Sequence, residues 1–387
     1  MKRLEYLIKH NRLLHWLYIH TLSLVFRFIG LFVRTDDQLV LFTGLGKKYN
    51  DSPRAIYEYM RRSGIADSYR CVWAVDSPDS YVIEGAEIIR ADTMKYFITA
   101  LRARYWVACV NIERGLHFKK KRTVFLNTWH GAAINFMGNA VRGRRDFDWR
   151  KTNFVCCSGD YEKEILVRDC RALPESLIET GLPRNDRLYR ATDAERLEIR
   201  ARLGLPEDKR VVLYAPTWRD SKDMGAEYKL TPPINWEKWK RELGDDHILV
   251  IHAHWITTAL EGLMSDGDFV RDLSGCGDVN DLMIASDILI SDYSSIIFDY
   301  SVLCRPICCF GYDFDEYTAA RPLYLDLDST IPSGVLRDED ALIAHLRSLD
   351  YASECEKTRA MRNAHLNYGG DATRQCVEYL FSLNKQP

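Results

Sequence analysis

Ile288-Leu289-Ile290-Ser291-Asp292-Tyr293-Ser294-Ser295-Ile296-Ile297-Phe298-Asp299-Tyr300 reads as a buried strand that ends in a polar turn and restarts as a helix. Its first three residues are a short apolar run, and Ile297, Tyr300 and Ser301 then fall at helical spacing. The hydroxyls of Ser294 and Ser295 stand where a helix N-cap belongs, which would aim the first-turn N–H groups out of the carboxyl edge of a parallel sheet. Such a helix start carries about half a positive charge and several unpaired donors, so the turn is an expected phosphate or diphosphate site. An ordinary capping turn uses the same residues, and the rest of the chain has to decide between the two.

Around this stretch lie the other pieces of one α/β series. Asp278-Val279-Asn280-Asp281-Leu282-Met283 starts a capped helix. Arg210-Val211-Val212-Leu213-Tyr214, His247-Ile248-Leu249-Val250-Ile251 and Arg305-Pro306-Ile307-Cys308-Cys309-Phe310 are strands. Two of them end in Ala215-Pro216-Thr217-Trp218-Arg219-Asp220 and in His252-Ala253-His254-Trp255. Two histidines at this spacing on a strand point the same way and suit a metal, but no third ligand is near, so none is expected. Residues 314–324 read as an aromatic loop, and the C-terminal segment as helices that pack back across a cleft.

An earlier series has the same character. Residues 39–42, 69–75, 87–90, 104–110, 123–127 and 153–157 alternate with helical patterns and describe an open, doubly wound sheet. Thr43-Gly44-Leu45-Gly46-Lys47-Lys48 is a turn too short for a dinucleotide fingerprint, and Ser52-Pro53 reads as N-cap and first position of a helix. Leu126-Asn127-Thr128-Trp129-His130-Gly131 ends a strand in a histidine, where ligand-binding residues collect. Gly131 permits close backbone approach, so His130 is a candidate general base, with a structural histidine as the alternative. Arg142, Arg144 and Arg145 form a basic segment able to meet an anionic acceptor or to stay solvated. Thr180-Gly181-Leu182-Pro183-Arg184-Asn185-Asp186 sets a cation and two polar side chains after a turn. The charged helix at 193–203, closed by Gly204-Leu205-Pro206, marks the connection, giving domains at 35–204 and 205–387.

Residues 1–34 stand apart. Lys2, Arg3, Lys9, Arg12, Arg27 and Arg34 face a single acid, Glu5, among many aromatic and aliphatic residues. The charge-free run at 13–26 is shorter than the roughly 20 residues a spanning helix needs, and no small-residue cleavage site follows it. The segment reads as a basic amphipathic helix in the cytoplasmic membrane interface, making the protein peripheral; a helix packed on the protein's own body is the alternative. With 47% hydrophobic residues and a formal net charge of -2, the chain is globular and offers no general polyanion surface, so no nucleic acid is expected. Its eleven cysteines include the adjacent pairs Cys156-Cys157 and Cys308-Cys309 and form no CxxC, as buried thiols of a reducing compartment would.

Four of these pieces, taken in order, resemble the CDP-glycerol glycerophosphotransferase family, the teichoic acid primases and polymerases and related capsule enzymes. They are the stretch ending Trp129-His130-Gly131, the Gly181-Leu182-Pro183-Arg184-Asn185-Asp186 turn, Leu213-Tyr214-Ala215-Pro216-Thr217-Trp218-Arg219, and Asp281-Leu282 through Ser291-Asp292-Tyr293-Ser294-Ser295. The resemblance spans residues 126–324 and implies a GT-B architecture, two facing Rossmann-like domains with the donor nucleotide held mainly by the second. It places the family's catalytic histidines on His130 and His254. Relatives often carry arginine where this chain has His252, so His252 and His254 both stay candidates for the second role. Ala132-Ala133 replaces the family's common Thr-Pro.

The implied reaction moves a polyol phosphate, glycerol phosphate before ribitol phosphate, from a CDP-glycerol or CDP-ribitol donor to a hydroxyl of a polyprenyl-diphosphate-linked or polymeric glycan acceptor, releasing CMP. Donor and phosphate contacts fall to Arg184, Asn185, Thr217, Arg219, Ser291, Asp292, Ser294 and Ser295. Arg184 or Arg219 would neutralise the transferring phosphoryl group, with the diphosphate at Ser294-Ser295. His130 would take the acceptor proton, and His254 would stabilise phosphate charge or protonate the leaving group. No cofactor is required; Mg²⁺ is compatible with the reading but not implied by the residues. A GT-B glycosyltransferase using a nucleotide-sugar is the nearest alternative; a catalytically dead membrane scaffold is another, against which both histidines and both arginines count.

Overall fold

The computed structural model of the chain describes residues 11–144, 147–217, 228–230, 232–252, 257–260, 268–275 and 277–383. Strands β1 (Asp36–Thr43), β2 (Arg70–Val75), β3 (Ala86–Arg90), β4 (Ala103–Ala108), β5 (Val124–Asn127), β6 (Phe154–Cys156) and β7 (Leu177–Ile178) build one parallel sheet in the order β3-β2-β1-β4-β5-β6-β7. The chain continues with β8 (Arg210–Tyr214), β9 (Tyr228–Leu230), β10 (His247–Ile251), β11 (Thr257–Leu260), β12 (Val270–Asp272), β13 (Ile288–Ser291), β14 (Ile307–Phe310) and β15 (Val335–Leu336). A second parallel sheet has the order β12-β10-β8-β13-β14-β15, while β9 and β11 pair separately. In both sheets the first strand lies between the second and fourth of its series, so the order reverses at β1/β4 and at β8/β13. Such reversals open a crevice at the carboxyl ends of the strands, which is where ligands bind in open α/β sheets.

The strands are apolar on both faces because both faces are covered. Along β1, Val40 and Phe42 enter one core and Leu39 and Leu41 the other. Along β8, Val211 and Leu213 face one core and Val212 and Tyr214 the opposite one. This is the two-residue side-chain period of a strand.

The helix Asp193–Leu203 is capped by Thr192 and ended by Gly204 in the left-handed region at φ 66°. Ile199 and Leu205 pack into the core shared with the second sheet, so this helix sits on the second unit's side of the connection rather than dividing the chain at Gly204. The last helix, Ala372–Ser382, returns to the first unit: Cys376, Val377 and Leu380 are buried in the core beside β1, β4 and β5.

Three local expectations need correction. Ser52 lies within the first turn of the helix Asp51–Arg62, whose N-cap is Asn50. The aromatic loop contains a helix, Phe314–Ala320. The restart after the opening turn is only Ile296–Ser301, with no side-chain cap bond from Ser295 and a long 3.4 Å contact from Ile296 N to Ser294 Oγ. Six residues align too few peptide dipoles for a strong helix field.

The N-terminal helix Arg12–Phe32 packs one side on the protein's own body and leaves the other exposed. Phe26 is buried, with Ile19, Leu22 and Ile29 packed beside it on the first unit. Its other side leaves Leu24 64%, Phe28 62%, Leu31 78% and Phe32 76% exposed. No helix among the described residues is long and apolar enough to cross a membrane.

Candidate active site

The carboxyl ends of the two sheets face a common cleft of about 1330 Å³. His130, Arg184, Thr217, His252, Ser294 and Ser295 all line it, together with Asp51, Asn280 and Asp299. Arg219 and His254 lie outside the described residues. The candidate residues that can be placed thus line one cleft, with His130 and Arg184 on the first unit's side and Thr217, His252, Ser294 and Ser295 on the second's.

His130 follows β5. Its Nδ1 is 2.9 Å from the carbonyl of Cys109, just beyond β4. A carbonyl only accepts, so Nδ1 carries the proton and Nε2 holds the lone pair. Burial pulls the imidazole below its ordinary value of 6.5; the Cys109 bond and Asp51 work against that pull. The ring is thus held neutral and correctly tautomerised to accept a proton. Trp129 packs on it at a centroid distance of 3.9 Å and has φ 54°, a left-handed conformation that costs a bulky residue about 1–3 kcal/mol. A Cβ on Gly131 would lie 2.3 Å from Ser295 Oγ. Only glycine lets the histidine loop and the serine turn come this close.

Arg184, expected at the transferring phosphoryl group, is engaged within the protein. Its Nη1 donates to Asp51 Oδ2 at 2.6 Å and to the His130 carbonyl at 3.0 Å, and its Nη2 donates to Asp299 Oδ2 at 2.7 Å. Asn185 Nδ2 donates to the other oxygen of Asp299 at 2.6 Å, and Asn280 Nδ2 donates to the Arg184 carbonyl at 2.8 Å. Asp51 starts the helix after β1, and Asp299 lies on the helix after β13. The guanidinium therefore latches the two units together while steadying the backbone of His130. Sequence reading missed Asp51, Asp299 and Asn280, because nothing in their local pattern distinguishes them from solvated acids or a capped helix start.

The remaining predicted contacts divide by burial. Ser291 is fully buried and donates to the Ala215 carbonyl at 2.7 Å. Asp292 is 2% exposed and accepts from Thr217 N at 2.8 Å, from the Thr217 hydroxyl and from Tyr293 N at 2.7 Å. Ser291, Asp292 and Asn185 thus act as supports, against the expectation that they touch the donor. A carboxylate already accepting three hydrogen bonds is a poor neighbour for a phosphate but a good clamp across the β8/β13 crevice, where it fixes Thr217. Ser294 and Ser295 line the cleft itself. His252 follows β10, and its Nδ1 is buried without a hydrogen-bond partner among the described residues. Burial holds its imidazole below the ordinary value, against Leu273 and Asp272. Among the described residues no group of three or more metal-ligating side chains is gathered.

A sequence profile of the CDP-glycerol:poly(glycerophosphate) glycerophosphotransferase family matches residues 25–382. The chain is 28% identical over 393 residues to the teichoic acid poly(glycerol phosphate) polymerase of Bacillus spizizenii, covering 97% of this chain and 98% of that one. It is 34% identical over 325 residues to the protein of the same name from Staphylococcus epidermidis, of which the match spans 44%. The solved structure of the wall teichoic acid polymerase TagF superposes with a TM-score of 0.82 at 30% identity, covering 94% of this chain and 93% of that one. A TagF variant soaked with CDPG superposes with a TM-score of 0.81.

Proposed function

Because the chain belongs to the CDP-glycerol:poly(glycerophosphate) glycerophosphotransferase family, we propose that it transfers glycerol phosphate from CDP-glycerol to a hydroxyl of a teichoic acid acceptor and releases CMP. The chemistry rests on one observation, the orientation of His130. With Nδ1–H committed to Cys109, Nε2 accepts the proton of the acceptor hydroxyl. The freed oxygen attacks the glycerol-bearing phosphorus, a new P–O bond forms, the bridging P–O bond of the diphosphate breaks, and its electron pair leaves on CMP. Ser294 and Ser295, which line the cleft on the second unit, suit the donor diphosphate; Thr217 is held beside them by Asp292. His252 and His254 share the candidacy for stabilising the leaving phosphate. The two facing units are a GT-B arrangement in this reading, and the residues need no metal for these steps.

The acceptor is a lipid-linked or polymeric glycan, and the exposed apolar side of Arg12–Phe32 rests in the membrane interface at the cytoplasmic face, where such an acceptor is reached. Ribitol-phosphate polymerases are also among the chain's relatives, at 29% identity over 354 residues for one from Staphylococcus aureus. The test is mass spectrometry of products made from CDP-glycerol, CDP-ribitol and a nucleotide-sugar with a polyprenyl-diphosphate disaccharide acceptor, using the parent and His130→Ala. Glycerol-phosphate additions that fall by roughly two to four orders of magnitude in the variant support the reading. Near-parent transfer by His130→Ala, or sugar transfer by the parent, overturns it.

A further inference from the structure

A second, smaller cavity of about 250 Å³ opens beside the N-terminal helix, and none of its lining residues lines the cleft. Four cations, Arg27, Lys119, Arg150 and Lys151, and His117 line it, against the two carboxylates Glu113 and Asp148. Both acids are already engaged. Glu113 accepts from the backbone N–H of Phe118 and of Lys119, the latter at 2.7 Å, and Asp148 takes Arg150 in a two-point bond at 2.9 and 2.6 Å. Neither Lys119 Nζ nor Lys151 Nζ donates a hydrogen bond among the described residues. Burial pulls the Lys119 ammonium down to about 8, with Lys151 and Arg104 adding to the pull and Glu113 opposing it. The cavity is thus short of negative charge.

Its position says where that charge comes from. Arg27 ties the helix to the cavity wall, donating from Nε to the His117 carbonyl, while His117 N donates to Ser23 Oγ at 3.1 Å. On the helix surface Arg27 stands three residues from Leu24 and four from Leu31, so it borders the exposed apolar side. The run Lys119-Lys120-Lys121-Arg122 continues the basic rim. Apolar side chains that enter a bilayer to headgroup depth would set this cavity level with the lipid phosphates. We propose that the cavity between Arg27, His117, Lys119 and Lys151 seats the phosphate headgroup of an anionic membrane lipid, a binding site distinct from the transfer cleft. This rests on the membrane placement proposed above and adds a specific headgroup contact to it.

Flotation of the full chain with phosphatidylcholine vesicles and with mixed phosphatidylcholine–phosphatidylglycerol vesicles tests it. The parent should prefer the mixed vesicles, and Lys119→Gln/Lys151→Gln should lose about tenfold or more of that preference while still floating through its apolar side. Lys121→Gln/Arg122→Gln removes the same charge outside the cavity and should lose distinctly less. The exposed Lys151→Gln alone should move in the same direction as the double variant, which guards against misfolding at Lys119. Equal losses in the two double variants overturn the cavity and leave only diffuse attraction. Parent binding with no headgroup preference also overturns it but spares the membrane placement. No flotation at all, or flotation unaffected by Leu24→Ser/Phe28→Ser, removes the placement and the proposal together. Inorganic phosphate that binds the parent as tightly without vesicles as the mixed vesicles do would make the occupant a free anion and not a lipid.

Discussion

Arg184→Lys separates a latch from a donor contact. The side chains of Arg184, Asp51 and Asp299 are only 15%, 6% and 9% exposed, so their attraction is weakly screened. Removing one partner of a buried pair costs about 3–5 kcal/mol, because the other charge is stranded. Lysine keeps the charge as a single point and loses the planar fork, so it can serve one carboxylate well but not both and the His130 carbonyl together. The expected loss is therefore smaller, about 1–3 kcal/mol, near that of one charge-assisted hydrogen bond. Since the same guanidinium steadies the His130 backbone, the loss should reach the chemistry: a shift of about 1 Å in a catalytic group lowers turnover roughly 100-fold. Urea denaturation measures the first effect, and steady-state transfer from CDP-glycerol with a parallel donor titration measures the second. The latch predicts a lower kcat with donor affinity nearly unchanged. Arg184→Met and Asp299→Asn combined in a cycle should couple by at least about 1 kcal/mol. Additive losses, parent kcat and weakened donor binding would refute the latch and return Arg184 to the phosphoryl group.

Three further outcomes are expected. Because burial holds His130 below 6.5, the acid limb of kcat/KM should lie below that value; a limb above it means the base is another group. The same depressed value makes the neutral ring the stable native form, so its contribution to stability is lost as pH falls through the folded pKa. Gly131→Ala drives a methyl to within 2.3 Å of Ser295 Oγ, and it should cost about 1–3 kcal/mol in melting experiments and lower turnover; a parent-like melt shows that the two units can separate freely there. Burial raises the carboxyl of Glu162, which is 2% exposed, to about 7 against the opposing Ser158 and Ala133 N–H groups. The native state then binds the extra proton between the unfolded value and about 7, so stability should fall as pH rises through that window. Glu162→Gln should remove the fall, worth up to about 3 kcal/mol, in urea titrations at a series of pH values.

The strands and the ends that carry chemistry were legible in the sequence because strands buried on both faces read as continuous apolar runs, as Val211-Val212-Leu213 and Ile288-Leu289-Ile290 do. The short strands β7, β12 and β15 carry too little pattern to be seen, whereas β6, equally short, was visible through its apolar Phe154-Val155-Cys156 run. His130, which lines the cleft, was singled out because a histidine at a strand end has few structural duties there. Ser291 and Asp292 were assigned to the donor by the same logic, yet the crevice between β8 and β13 must itself be held closed, and a polar residue at a strand end serves that purpose equally well. Asp51 and Asp299 were invisible for a different reason. They lie 248 positions apart in the sequence and meet only through Arg184, and such a meeting is a property of the assembled cleft.

The return of Ala372–Ser382 to the first unit governs the order in which this chain can be made. Cys376 Sγ sits 3.4 Å from Cys156 Sγ, 220 positions away in the sequence, and Tyr69 stacks on Phe381 at a centroid distance of 4.4 Å. During synthesis the first sheet emerges long before the helix that completes one of its cores. Apolar surface on β1, β4 and β5 therefore has to wait uncovered until the second unit has been made and the helix Ala372–Ser382 has emerged after it. Contacts of such long range form slowly, and the waiting intermediate is aggregation-prone. A nascent chain stalled just short of residue 372 should remain protease-sensitive in its first unit, even though every strand of that unit has left the ribosome.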